Sequence, residues 1–496
     1  MYWQSGDYES ERLSGCYEQD TARLREIFQK DAVLRVRELV VGEQKVRMAL
    51  FYLDGMVDND LITESVIRPL LLCRSDEADS VEAIQSRVLF ASDVTAREWL
   101  SDMIRAVLYG DTLLILQGSR TALIVNTKGW RTRGISEPPD ERVLSGPREG
   151  FDEAAMFNLA MIRRRLLTPD LCIETMRIGR RSETYVFLCY LASLADAAAV
   201  KELKKRLLKI HIDGILDSNY LAENIRDHKN SLLKTIGSTE RPDVVAARLL
   251  EGRIAVVVDG TPVVLTLPYL FSENFQSDED YYQNHLIASF KRILRYLCFF
   301  LAVSVPAVFV ACCTFHLQLL PTSLMLSVFR LREGIPISSF SECLLLIFTF
   351  EILKETGMRA PKNLGYALSI VGGLVVGQAA VEAGMVSAPM LIAVSLSAVA
   401  GLMLPRLKAA VLFLRLYAVA AAALFGLYGY FAVICLFLIR VLSLRSLGSD
   451  ATVSLRKPDF QHLKDTFFRT AWTNMKIRPA FNRNRIRKGG DTHQSR

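Results

Sequence analysis

The spacing of apolar residues divides the chain into two halves. Over the first 290 residues short apolar runs alternate with charged ones, whereas Leu, Val, Ala, Phe and Gly dominate from about Tyr296 to Leu444. Several runs in the second half approach the roughly 20 apolar residues that a helix needs to cross a bilayer core. The pattern predicts an α+β membrane protein, with a soluble region in front of an α-helical transmembrane bundle.

About six spans are predicted, and four to six fit the run lengths. They are 296–314, 338–353, 364–383, 389–404, 409–425 and 429–444. Lys291, Arg292 and Arg295 precede the first span, whereas the connections 384–388 and 426–428 contain no Lys or Arg. Because basic residues mark the cytoplasmic side, both termini are predicted to be cytoplasmic.

Two basic features do not follow this scheme. Arg330 and Arg332 would lie outside, in a stretch (321–335) that resembles a short amphipathic or re-entrant helix. Arg415 falls within a span, one turn from its inner end, where a long side chain can reach the interface.

One pattern occurs twice in the soluble half, which predicts duplicated cytoplasmic α/β modules. A strand, a turn and an amphipathic helix over 46–71 are repeated over 184–210, with Tyr52 matching Tyr190 and Asp58 matching Asp196. A β-hairpin follows in each copy, with turns at Gln117-Gly118-Ser119 and Asp259-Gly260-Thr261. The predicted domains are an extension (1–45), a first module (46–145), a linker helix with a second module (146–290), the transmembrane domain (291–445) and a basic tail (446–496).

Charge and cysteine usage add to this picture. The net charge is +7, and the segment from Arg445 to Arg496 holds twelve Lys and Arg against four Asp. Because this tail follows an apolar span, contact with anionic lipids is favoured over nucleic acid. Part of it, around Phe467 and Trp472, is predicted to form an amphipathic helix on the membrane surface. Nine cysteines without C-x-x-C spacing indicate reduced thiols.

The chain lacks recognisable catalytic chemistry. It contains no Walker loop, no H-E-x-x-H and no G-x-S-x-G, and its six histidines have no metal-ligand spacing. The sequence therefore predicts neither an enzyme nor a cofactor or metal site. A cluster at Arg163, Arg164 and Arg165 is either an anion or partner site or, as we favour, a solvated helix face paired with acids of the neighbouring module.

The stretch "SIVGGLVVGQAAVEAG" (369–384) is the most informative part of the apolar half. Ser369, Gly373 and Gly377 lie four residues apart, the small-xxx-small pattern that lets another helix approach closely. Gln378 and Glu382 lie on a face about 100° away by helical geometry. Either Glu382 lies in the outer headgroup zone, or water, an ion or a partner meets it within the membrane.

Two further acids lie within predicted spans. Glu342 is near the outer end of its span, and Glu351 precedes Lys354 near the inner interface. If several copies surrounded an axis, such acids would form rings that favour cations over anions. Both are therefore candidates for a charged pore or interface.

The stretch "LLPTSLMLSVFRLREGIPISSFSECLLLIFTFEILKETGMRAPKNLGYALSIVGGLVVGQAAVEAGMVSAPM" (319–390) resembles the A subunit of GerA-type spore germination receptors. Shorter matches are "GPREGF", "IRRRL", "GRRSET", "IDGILDS" and "TERPDV". The resemblance covers roughly residues 140–475, and the first 45 residues match nothing that we can place. The stage V sporulation protein AF branch departs from "PTSLMLSVFRLREGIP" and "GQAAVEAG", which this chain keeps.

The resemblance implies a nutrient-gated cation channel in the spore inner membrane. It implies a homo-oligomeric ring, of five copies in the family, that works with a transporter-like B subunit and a lipoprotein C subunit. Carried onto this chain, the pore helix is 364–383, with Val375, Gln378 and Glu382 lining the pore and Ser369, Gly373 and Gly377 in helix packing or gating. A transporter or lipid translocator and a non-conducting scaffold stay open as alternatives.

Overall fold

The structure is a computed structural model of the chain, with two sheet modules followed by a helical bundle. It describes residues 8, 10–42, 45–73, 80–129, 138, 141, 145–359, 373, 375–452, 465–475 and 478. The predicted mixture of α and β elements is confirmed.

The first module is a five-stranded antiparallel sheet with helices around it. Its strands have the order β1-β2-β4-β5-β3. The elements are α1 (Tyr17–Ile27), β1 (Leu34–Val41), β2 (Val46–Leu53), α2 (Asn59–Ile62), α3 (Arg68–Leu72), α4 (Val81–Ala83), β3 (Val94–Arg97), α5 (Leu100–Leu108), β4 (Thr112–Leu116) and β5 (Ala122–Val125). Single π turns follow α2 and α4.

The second module repeats this architecture. Its strand order, β6-β7-β9-β10-β8, matches the first position by position. The elements are α6 (Ala155–Arg165), β6 (Leu171–Ile178), β7 (Thr184–Leu191), α7 (Ala197–Leu208), α8 (Ser218–Ile225), β8 (Gly237–Thr239), α9 (Pro242–Leu250), β9 (Ile254–Val258) and β10 (Val264–Leu267).

The residues that revealed the duplication have the same structural roles in both copies. Asp58 and Asp196 are the N-caps of the helices that follow β2 and β7, and each carboxylate accepts a hydrogen bond from a backbone N–H of the first turn. Gly118 and Gly260 have φ of +81° and +88° in the two hairpin turns, a region that favours glycine. The predicted repeat of strand, turn, helix and hairpin is confirmed, and the structure adds the capping role of the two aspartates.

The boundary predicted at residue 46 is wrong, because the first module begins earlier. β1 pairs with β2 along its whole length, from Leu34 opposite Leu53 to Val41 opposite Val46. In α1, Tyr17 and Leu24 are buried in the core. β1 escaped prediction because it is an edge strand with charged side chains in "LRVRELVV", which weakens the apolar signal.

A buried arginine joins the two modules. Arg163 of α6, 1% exposed, forms an ion pair with Asp31, which precedes β1, and donates to the carbonyl of Thr168 at 2.9 Å. Beside it, the Ile173 N–H donates to the carbonyl of Lys30 at 2.9 Å. The predicted pairing with an acid of the neighbouring module is confirmed for Arg163, which is however buried and not solvated. It is wrong for Arg164 and Arg165, which pair with Glu149 of their own predicted domain.

The second half consists of helices that pack as a bundle. They are α10 (His285–Thr314), α11 (Thr322–Arg332), α12 (Ser339–Arg359), α13 (375–382), α14 (Ala388–Leu402) and α15 (Lys408–Leu442). We call the end of this bundle that contacts the second module the module side, and the opposite end the far side. α11 is the short helix expected within 321–335.

Two helical segments of the described residues, His285–Thr314 and Pro405–Leu442, are long and apolar enough to cross a membrane, judged by length and composition. The second is interrupted at Gly426, whose φ of +62° and ψ of −144° reverse the chain. A Cβ on Gly429 would lie 2.1 Å from the carbonyl oxygen of Ala421, so the two arms of α15 pack closely. The count of six spans stays a prediction.

The described part of the tail is not the predicted amphipathic helix. Residues 465–475 form turns and a short 3-10 helix, Trp472–Asn474. Gln276 donates to the carbonyl of Asp465 at 2.6 Å, and Arg469 donates to the carbonyl of Gln283. These side chain to backbone bonds hold the segment against the base of α10 in an irregular conformation.

We expect Arg163→Met to destabilise the soluble region by about 3 to 5 kcal/mol, because it leaves the Asp31 carboxylate buried without its cation. Thermal unfolding of the full chain measures the loss. Arg68→Met, which removes an exposed partner of Glu64, is the matched control and should change little. Equal effects of the two variants would contradict this role for Arg163.

Candidate functional site

The small residues of the predicted pore helix face other helices of the same chain. A Cβ on Gly377 would lie 3.5 Å from Leu391 of α14, and one on Gly373 would lie 4.0 Å from Leu353 of α12. Gly377 is buried. These glycines therefore bring α13 close to its neighbours, while Ser369 lies outside the described residues.

The opposite face of α13 is exposed on the single chain. Val375 is 57% exposed, and Gln378 and Glu382 are exposed as well. The Gln378 amide donates to a Glu382 carboxylate oxygen at 2.9 Å. Spacings of three and four residues place all three side chains on one face of the helix. The structure thus brings together the three residues predicted to line a pore, and that role stays a prediction.

Glu342 is bound inside the chain. Its side chain is fully buried at the start of α12, and one carboxylate oxygen accepts hydrogen bonds from the backbone N–H and the hydroxyl of Ser387, each at 2.5 Å. Arg332, at the end of α11, lies 3.6 Å from the other oxygen. Glu342 therefore ties the start of α14 to α11 and α12 at the far side.

Glu351 belongs to a polar network deeper in the bundle. One of its oxygens accepts a hydrogen bond from Arg415 of α15 at 3.1 Å, and the other accepts one from Lys354 at 3.1 Å. Arg415 also donates to the Ser397 hydroxyl of α14 at 3.2 Å, and that hydroxyl donates to the carbonyl of Ala302 in α10 at 2.6 Å. The network thus connects α10, α12, α14 and α15.

The interpretation of Arg415 as a side chain that reaches the interface is wrong. Only 3% of it is exposed, and it turns inward to Glu351. A guanidinium among apolar helices is costly unless a carboxylate and further acceptors replace its water. Sequence spacing does not reveal the pair, because the partners are 64 residues apart. The sequence shows only that Glu351 and Arg415 each lie inside a predicted span.

A second ionic cluster joins the second module to the module side of the bundle. Asp280 accepts hydrogen bonds from Arg292 at 3.0 Å and from Arg295 at 2.8 Å, both in the first turns of α10. Arg292 also pairs with Asp465 of the tail at 2.8 Å. From the sequence, Arg292 and Arg295 predict only the cytoplasmic side of the first span.

The turn between α14 and α15 is held by the same module. Arg406 donates to Asp278 at 3.0 Å and to the carbonyl of Glu273 at 3.1 Å. Glu273 is itself paired with Arg248 at 2.9 Å and with Arg253 at 2.5 Å. The second module is therefore bonded directly to α10 and to the turn before α15.

The chain is similar to proteins of one family over most of its length. A family model described as "Bacillus/Clostridium GerA spore germination protein" matches residues 22–481. The match begins well before residue 140, where the recognisable motifs start.

Individual relatives show the same similarity. "Spore germination protein KA" of Bacillus subtilis (strain 168) is 40% identical over 462 residues, which cover 92% of this chain and 85% of that protein. "Uncharacterized membrane protein YfkQ" of the same organism is 38% identical, with 89% and 86% covered. "Spore germination protein GerLA" of Bacillus cereus is 34% identical, with 90% and 92% covered.

One solved structure is similar to about half of the chain. It is the N-terminal domain of the A subunit of the Bacillus megaterium spore germinant receptor GerK3, 31% identical with a TM-score of 0.39. The match covers 52% of this chain and 97% of that domain.

We expect Glu351→Leu to destabilise the bundle by about 3 to 5 kcal/mol, because it leaves the buried Arg415 guanidinium without its carboxylate. Arg415→Leu should cost less, because Glu351 is 27% exposed and keeps its ion pair with Lys354. The double variant should recover much of this loss, since it removes both charges. Thermal unfolding of the purified full chain in detergent tests the cycle. Additive losses in the double variant would show that the two side chains do not act as a pair.

The stability that the Asp280 cluster contributes should depend on pH. Burial alone would raise the pKa of Asp280, but the hydrogen bonds and charges of Arg295 and Arg292 hold it below its usual value. A depressed folded-state pKa stabilises the fold above the unfolded-state pKa of about 3.9, and this contribution is lost as the pH falls through the folded-state pKa.

Asp280→Asn should therefore lower the unfolding temperature strongly at pH 7, and its difference from the unsubstituted chain should narrow below about pH 4. Unfolding of both proteins between pH 7 and pH 3 measures this. Asp213→Asn removes an exposed acid, 3.9 Å from Arg181, and is the control. A difference that is constant across this range would contradict the assignment.

Proposed function

The chain belongs to the Bacillus/Clostridium GerA spore germination protein family, and on this premise we propose that it is the pore-forming A subunit of a nutrient-responsive germination receptor. Copies assemble as a ring in the spore inner membrane, and α13 from each copy faces the central axis. The ring conducts cations when a B subunit of transporter type senses nutrient, with a lipoprotein C subunit as the third component. The bundle crosses the membrane six times, with both termini in the cytoplasm.

The observation that carries this proposal is the exposed polar face of α13. Most exposed side chains of the bundle are apolar, such as Ile392, Phe425 and Ile439, and suit lipid. Gln378 and Glu382 do not suit lipid, because a carboxylate within the hydrocarbon region costs on the order of 3 kcal/mol on insertion scales. If copies of the chain surround a water-filled axis, these side chains face water instead of lipid and that cost is removed.

The charges of the other membrane acids support the same reading. Among the described residues, Glu342 lies against Arg332 and Glu351 is paired with Arg415, whereas the hydrogen-bond partner of Glu382 is the neutral Gln378. Among the described side chains of its own copy, Glu382 therefore has no cationic partner. A ring of such carboxylates attracts cations and repels anions.

The glycine side of α13 suits a moving helix. Gly377 and Gly373 present no side chain to Leu391 and Leu353, so α13 can slide against α14 and α12 with little steric resistance. α13 is connected through a short turn at Gly384 to Ser387, which Glu342 holds. One end of α13 is thus anchored, and the remainder is free to shift during gating.

We expect Glu382→Gln to reduce the preference for cations over anions in receptors reconstituted with their B and C subunits, because it removes the ring of charge. Reversal potentials in salt gradients measure the preference. Glu333→Gln, which removes an exposed acid at the end of α11, is the matched control. A scaffold without a pore predicts no change in flux for either variant, and that result would refute the channel.

We expect Gly377→Leu to block nutrient-triggered ion release while the receptor still assembles, because the added side chain meets Leu391. Gly377→Ala should be tolerated, since its Cβ would make only an ordinary contact at 3.5 Å. Ion release from spores and receptor abundance on native gels measure the two effects. Normal release from spores carrying Gly377→Leu would count against a gating role.

A further inference from the structure

A cavity of about 760 Å³ lies between the second module and the module side of the bundle. Its walls carry five basic side chains, Lys234, Arg241, Arg295, Arg406 and Lys408, from the module and from the first turns of α10 and α15. We call this cavity the basic groove. It lies apart from the exposed face of α13.

Three acids line the basic groove, Glu141, Glu240 and Asp278, and each has a partner within the chain. Glu141 accepts hydrogen bonds from the Thr239 hydroxyl at 2.6 Å and from the Glu240 N–H at 3.0 Å. Asp278 is paired with Arg406 at 3.0 Å. These carboxylates are therefore committed to contacts within the chain.

Lys234, unlike Arg406, has no carboxylate paired with it among the described residues. Among the described residues its ammonium contacts the Ser238 hydroxyl at 3.4 Å and forms no ion pair. Burial, followed by the positive charge of Arg406, lowers the pKa of Lys234. An anion beside this ammonium would relieve the repulsion, so the position favours a negatively charged ligand.

The lining of the basic groove is apolar where α14 ends. Leu402 and Met403, at the end of α14, are 60% and 42% exposed. Exposed apolar side chains next to basic ones match a ligand with a charged head and a hydrocarbon tail. Basic pockets at the cytoplasmic ends of membrane helices bind lipid headgroups in this way.

We propose that the basic groove binds the phosphate of an anionic phospholipid from the adjacent leaflet. Lys234 and Lys408 contact the phosphate, and the acyl chains leave the groove past Leu402 and Met403. The lipid occupies the space beside the turn that Arg406 anchors, so it braces the connection between the second module and the bundle. This site does not depend on whether α13 lines a pore.

The test uses the purified full chain and native mass spectrometry. With phosphatidylglycerol and phosphatidylcholine supplied in equal amounts, the chain should retain phosphatidylglycerol. The double variant K234S/K408S should bind it about tenfold more weakly, as expected for the loss of charged hydrogen bonds. The control K205S/K209S removes two exposed lysines of the soluble surface and should bind like the unsubstituted chain.

Two further variants keep the test decisive if the double variant is unstable. K234R retains the charge and should retain the lipid, whereas L402E places an acid in this apolar lining and should weaken retention without altering a lysine. Equal retention of the two lipids, or equal retention by K234S/K408S and the control, would overturn the proposal. Displacement of the lipid by equimolar inorganic phosphate would assign the groove to a free anion and would also overturn it.

Discussion

A buried guanidinium is stable only where carboxylates and carbonyls replace its water. In this chain such buried arginines lie where one part of the structure is joined to another. The largest fully buried side chains are arginines, among them Arg163, Arg253 and Arg292. Arg163 joins the two modules, and Arg292 joins α10 to the tail. Arg415 repeats the arrangement among the helices of the bundle. Removing an acid partner from one of these arginines leaves a buried charge without the groups that replace its water.

Much of the soluble fold was predictable, because its signals are local. The apolar runs of β2 and β7, the matching residues Asp58 and Asp196 and the hairpin glycines are each visible within a few residues of sequence. β1 was not predictable, because an edge strand needs no continuous apolar face. The irregular tail was not predictable either, since the contacts that hold Asp465 come from residues more than 170 positions away.

The candidate site was also predictable only where its signals are local. Helical periodicity alone separates the glycine side of α13 from the side that carries Gln378 and Glu382, and the structure places the first inside the chain and the second outside it. Periodicity does not say which acids of the predicted spans are paired with a cation. Glu342, Glu351 and Glu382 look alike in sequence, and only the packing of α12 against α14 and α15 distinguishes them.

The continuity of α10 has a mechanical consequence. Its 30 residues span about 45 Å, more than the roughly 30 Å of a hydrocarbon core, so it enters the bundle from the second module without an intervening loop. Tilting the module by 5° would carry the distant tip of a rigid rod of this length about 4 Å sideways. Pro306 lies within this continuous helix, and its ring removes one backbone hydrogen bond there. Bending of α10 is therefore least costly at Pro306, one turn beyond the network around Ala302.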